Sequence, residues 1–208
     1  MTPGTVPPST STQGTRLILA VSITAVGAVT WAWWPDLGLG LATEQAPLGW
    51  LQSNWLIACA TTAGLRASLA AHGGRGTAAE WTVLALAILA AALDERFMFH
   101  EQFQDLVSGE LLDRGLVGDE RAAERLAQSA ILVYAVGGVA AAVWLRQAAS
   151  ASAWRWMRAA IGVGLMAIAL DLASDAVAPQ IIEELLEFAA ETLMLCGLFT
   201  EARSAGSR

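Results

Sequence analysis

Residues 80–107 read EWTVLALAILAAALDERFMFHEQFQDLV. The first part of this stretch is apolar and long enough to begin a membrane crossing, which takes about 20 apolar residues. The second part sets Asp94, Glu95, Arg96, His100, Glu101 and Asp105 into the same run. Ionisable groups at membrane depth are costly and mark function, so one stretch carries both the fold and the candidate site. Working outward, comparable runs lie at Leu17–Trp34, Leu51–Ala71, Leu126–Gln147, Ser152–Val177 and Pro179–Thr200. The expected fold is all-α, an integral membrane bundle of about six transmembrane helices.

The whole chain agrees. Of its 208 residues 55% are hydrophobic and 15% charged, with a mean hydropathy of +0.50, outside the balance of a soluble domain. The net charge is −7, from nineteen acids against twelve bases, and every base is Arg. This argues against nucleic acid, which selects clustered positive charge. Cys59 and Cys196 lie inside apolar runs and offer neither a disulfide framework nor a thiolate metal site of familiar spacing. They read as small core residues.

Residues 1–15, rich in Pro, Ser, Thr and Gly, read as a disordered tail. Residues 16–203 form a single transmembrane domain, and 204–208 a second tail. The first run ends in Trp31, Trp33 and Trp34 without a small-residue cleavage site, the pattern of a retained signal anchor. With both termini cytoplasmic, Arg16, Arg66, Arg75, Arg146, Arg155, Arg158, Arg203 and Arg208 fall inside, and Arg114, Arg121 and Arg125 outside. The expected location is a bacterial cytoplasmic membrane. The stretch 108–125 mixes acids and Arg with Leu111, Leu112 and Leu116 and reads as an amphipathic segment on the outer surface. No internal repeat supports an inverted-repeat transporter.

The acids are not scattered. The runs that carry them hold nine carboxylates, Asp94, Glu95, Glu101, Asp171, Asp175, Glu183, Glu184, Glu187 and Glu191, with Arg96 and His100. At about 100° per residue, Asp94 and Glu101 share a stripe with His100 on its flank and Asp105 at its rim. Asp171 and Asp175 are i,i+4 neighbours, and Glu184, Glu187 and Glu191 fall within an arc of about 60°. The third and fifth runs carry their acids near the end and the sixth near its start, so all are expected in the outer half of the bilayer. The short turn at Ala178 and Pro179 joins the last two runs at one depth.

Carboxylates gathered in a low dielectric need compensation from shared protons, from Arg96 or from bound cations. Asp94, Glu101, Asp171, Asp175, Glu184, Glu187 and His100 form a ligand set for one or two divalent ions, with Fe, Mn, Zn and Ca not distinguished. Glu95, Arg96 and Glu183 support it, Arg96 as counter-charge, and Glu191 is the candidate proton carrier. The Glu-x-x-His pairs of ferritin-like di-metal sites are missing. Three-His zinc sites are excluded, since the chain has only His72 and His100. Gln52, Ser53 and Asn54 serve either as partners of the acids or as helix caps.

Leu93-Asp94-Glu95 followed by His100-Glu101, with Glu183-Glu184 followed by Glu187 and Glu191, resembles a group of uncharacterised bacterial multi-pass membrane proteins. The resemblance covers the second half of the chain. It implies a membrane bundle and the location of a site, with no activity attached.

Three functions fit these residues. The leading one is a membrane protein with a carboxylate-rich divalent-metal site, serving a metal-dependent enzyme on a lipid-like substrate. The second is a proton or divalent-cation transporter or channel that uses the acids as a relay. The third is an accessory subunit of a larger membrane complex. The partners implied are the lipid bilayer and either a second copy of the chain or a complex subunit. Against all three stands a buried polar network in which Asp94, Glu101, Glu184 and Glu187 only hold helices together.

Overall fold

The computed structural model describes residues 10–41, 46–71, 75–119, 146–173 and 177–206, with short pieces at 122–123, 126–127, 136–138, 140–141 and 143–144. Every described element is a helix: α1 (Thr10–Ala32), α2 (Leu37–Leu41), α3 (Pro47–Ala71), α4 (Arg75–Phe97), α5 (Phe99–Asp113), α6 (Ala151–Asp171) and α7 (Val177–Gly206). The described residues between 122 and 144 are helical as well. The chain is thus all-α. Two helices, over Thr12–Ala32 and Ala151–Asp171, are long and apolar enough to cross a membrane.

The C-terminal helix α7 is the hub. It packs along α6 and α3 and touches α1 and α2, while α4 is held mainly by α3 and α5 by α4. Small residues make this closeness workable, because they let helix backbones approach. Cys59, Ala60, Ala63, Ala67 and Ala70 of α3 meet Trp81, Ile88 and Ala92 of α4, Met157 of α6 and Leu195 and Leu198 of α7 in one core cluster. At Gly197 a Cβ would lie 3.0 Å from Met157 Cγ and 3.2 Å from the Ala153 carbonyl oxygen, so this glycine sets how near α6 can come. A second cluster of Leu41, Leu48 and Phe188, backed by Val26, Val29 and Leu37, ties α1 and α2 to the other half of α7.

Several boundaries differ from the sequence expectation. The run at 80–107 is not one helix. Met98 takes a left-handed conformation with φ 54° and ends α4, and α5 starts immediately after it. Helical phase counted across Met98 therefore fails, and with it the shared stripe of Asp94 and Glu101. Of the segment expected at 108–125, residues 108–113 are the end of α5 and 114–119 are turns and bends. There Gly115, at φ 63°, allows the Leu116 N–H to reach back to the Leu111 carbonyl, a glycine helix stop. Helix also intrudes on both expected tails, beginning at Thr10 and ending at Gly206. Thr15 is buried there against the bundle. Most of the run at 126–147 lies outside the described residues.

Candidate functional site

The acids of α7 occupy one side of an unbroken helix, and α3 faces them. Gln52, fully buried, donates through Nε2 to Glu187 Oε2 at 3.3 Å and to the Glu184 carbonyl at 3.5 Å. One turn along α3, Trp55 packs on Phe188 with ring centroids 5.5 Å apart. A further turn on, the Cys59 thiol points at the Glu191 carbonyl at 3.7 Å. The 3.6-residue period of both helices produces this ladder of contacts.

The carboxylates within electrostatic reach of Glu187 are Glu184, Glu95, Glu183 and Asp171, and those within reach of Glu191 are Glu95, Glu187 and Glu184. Acids from α4, α6 and α7 thus gather around a recess that α3 walls with Gln52 and Trp55. Glu183, Glu184 and Glu187 are half-buried and Glu191 is 9% exposed, so the recess deepens along α7. Below Glu191 it closes: Thr192 bonds Ser22 of α1 at 3.0 Å, and Leu195, Cys196 and Leu198 are buried. Within it, Glu191 Oε2, Gln52 Oε1 and the Trp55 Nε1 are buried without a hydrogen-bond partner. Buried polar atoms are paired in the great majority of cases, so two orphaned acceptors beside a carboxylate cluster are a chemical signal.

From α4 the structure turns Glu95, not Asp94, toward this recess. Asp94 reaches across the break instead. Its Oδ1 accepts the His100 backbone N–H at 2.8 Å, and its Oδ2 lies 3.1 Å from His100 Nδ1. His100 Nε2 in turn faces Glu101 Oε1 at 3.8 Å. Asp94, His100 and Glu101 therefore meet one another at the α4–α5 corner. The physical reason is local: with Met98 left-handed, the first turn of α5 presents open N–H groups that a carboxylate satisfies.

Arg96, expected as the counter-charge, lies against an aromatic ring. Its guanidinium stacks over the Trp50 ring at 3.9 Å, and no described ion pair includes it. Asp171 sits at the end of α6 within reach of Glu183 and Glu187, whereas Asp175 lies outside the described residues. Ser53 and Asn54 are spent on their own helix, bonding the carbonyls of Gly49 and Trp50. Among the described residues, no group of three or more His, Cys, Asp and Glu side chains stands close enough to hold a metal ion.

Sequence reasoning missed a different buried acid. Glu201, 4% exposed, meets Arg66 of α3 with Nε to Oε1 at 3.2 Å. Its Oε2 accepts the Ser150 backbone N–H at 2.7 Å, and Ser150 caps α6 by accepting from the Ala153 N–H at 3.3 Å. The Arg66 guanidinium also lies 5.5 Å from the Trp81 ring centroid. No local motif signals this pairing, since its partners stand 135 positions apart.

The family described as Domain of unknown function (DUF8692) matches residues 16–202, so the chain belongs to that family. No curated protein and no solved structure matches it.

Proposed function

We propose that this member of the family is an integral membrane protein that holds a divalent cation in the carboxylate recess between α3, α4, α6 and α7. The membrane part rests on length and on outer faces. Helices α1, α3, α4, α6 and α7 have 21 to 30 residues each, which at about 1.5 Å per residue is enough to cross a hydrocarbon core of about 30 Å. Their outward side chains are apolar: Leu17 and Ile23 on α1, Val83, Leu86 and Leu93 on α4, Leu165 and Met166 on α6 are all exposed. A helix facing water would carry charge there. With the helical residues between 122 and 144, this gives the six-span reading.

The observation that carries the cation reading is the pair of orphaned acceptors, Glu191 Oε2 and Gln52 Oε1, beside Glu187. A carboxylate and an amide oxygen are the kinds of donor that hard cations accept. With His100 placed at the corner, this donor set favours an oxygen-loving ion such as Ca²⁺ or Mn²⁺ over Zn²⁺. What weighs against passage through the bundle is the packing beyond Glu191, where Thr192 bonds Ser22 and Leu195, Cys196 and Leu198 are buried. The setting of the recess suits a lipid-like substrate, with the cation as Lewis acid.

The test is metal content and thermal unfolding of the purified full chain in detergent with Ca²⁺ or Mn²⁺. Wild type should take up the ion in stoichiometric amount and gain about 2.7 kcal/mol of stability at a hundredfold excess over Kd. Glu191→Gln should lose most of both. Wild type without stoichiometric uptake, or a Glu191→Gln variant that binds equally well, would sink the reading.

A further inference from the structure

We infer that the recess takes the hydroxyl headgroup of a neutral lipid alcohol, whose oxygen accepts from Trp55 Nε1. Such a headgroup depends on the recess being a ligand site, as proposed above, but not on the ion held there. Trp55 Nε1 is buried without a hydrogen-bond partner, although a buried indole N–H usually finds one. A cation leaves that need unmet, because a donor requires a lone pair. Gln52 and Trp55 stand three residues apart on one face of α3, and both end on the same turn of α7. Gln52 Nε2 meets Glu187 Oε2 at 3.3 Å, and the Trp55 ring packs on Phe188 with centroids 5.5 Å apart. Trp81 Nε1 is also unpartnered, but that ring is fully buried in the core of α3 and α4, whereas Trp55 is half-buried.

The surroundings select among oxygen-bearing groups. Glu184, Glu95, Glu183 and Asp171 lie within electrostatic reach of Glu187, so a phosphate or carboxylate headgroup would meet like charge. An ether or a carbonyl would accept from Trp55 but bring one more acceptor to a recess where Gln52 Oε1 and Glu191 Oε2 already lack donors. A hydroxyl accepts and donates. It answers the indole N–H and brings a hydrogen to a site rich in acceptors. The body of the ligand follows from the residues beside the acids: Leu172, next to Asp171, and Ile182, next to Glu183, are exposed. Apolar side chains flanking a few buried polar groups suit a ligand that is apolar in its tail and polar only at its tip.

The experiment is a decanol titration of the purified full chain, isotope-labelled at tryptophan nitrogen and held in a detergent without hydroxyl groups, read by the NMR signals of the indole N–H groups. Trp55→Phe keeps a ring on Phe188 and identifies the Trp55 signal by its loss. In wild type, decanol should move that signal downfield and saturate. Decyl methyl ether and decanoate should bind about tenfold more weakly or worse, the worth of one hydrogen bond. In Trp55→Phe, decanol should raise the unfolding midpoint no more than the ether does in wild type. A Trp55 signal that stays in place with decanol, including one already held downfield by water, overturns the alcohol site. So does an ether or a decanoate that binds as tightly as decanol. Uptake of Ca²⁺ or Mn²⁺ is measured on the same preparation: uptake without a decanol response sinks the alcohol alone, and a decanol response without uptake sinks the cation alone.

Discussion

Two stretches of α7 treat a buried carboxylate in opposite ways. At its C-terminal end Glu201 has both oxygens taken, one by the Arg66 guanidinium and one by the Ser150 N–H. Near its middle Glu191 is buried to a similar degree, 9% against 4% exposed, yet its Oε2 has no partner and its neighbours in reach are carboxylates. The contrast separates charge that holds the fold from charge that the fold holds in reserve. A saturated acid is a strut between helices. An acid among acids waits for a proton or a cation.

The contrast can be broken from either side. The largest effect is expected at Glu201→Ala, which leaves Arg66 buried without its partner and should cost about 3–5 kcal/mol. This is read as a fall in the unfolding midpoint in detergent; a variant as stable as wild type would erase the distinction. Ser150→Ala removes only the cap on α6 and should cost about 1 kcal/mol by the same measurement. A loss as large as that of Glu201→Ala would shift the weight of this end from the ion pair to the cap. The smallest effect is expected at Glu187→Gln, which keeps an acceptor for Gln52 and removes like charge. In metal-free buffer its stability should stay within about 0.5 kcal/mol of wild type, and a loss near that of Glu201→Ala would make Glu187 a strut too.

The helices themselves were readable from the apolar runs, because length and composition act within each segment. The stripe of Glu184, Glu187 and Glu191 was readable for the same reason: α7 is unbroken over it. The break at Met98 was not. The residues around it, Asp-Glu-Arg-Phe-Met-Phe-His, contain neither Gly nor Pro, and the turn is held by Asp94 bonding a backbone N–H beyond it. That one bond moves Asp94 out of the recess and leaves Glu95 as the contribution of α4. Gln52 carried an ambiguous signal, since an amide near a helix start fits a cap as well as a partner. Arg66 and Glu201 carried none. Each sits at the end of an apolar run, where topology alone accounts for charge, and their meeting is a product of tertiary packing.

The central position of α7 also bears on how the protein is made. Helices α1, α3 and α6 each bury a face against it, but α7 is synthesised after all of them. During synthesis the earlier helices must wait with those faces open, the α3–α4 pair being the largest contact they can make without α7. The last of the described helices then brings Glu183, Glu184, Glu187 and Glu191, and its arrival both closes the bundle and assembles the carboxylate cluster. Assembly and site formation are in this way a single late event, the stage at which nascent chains with unpartnered surfaces are most exposed to misassembly and quality control.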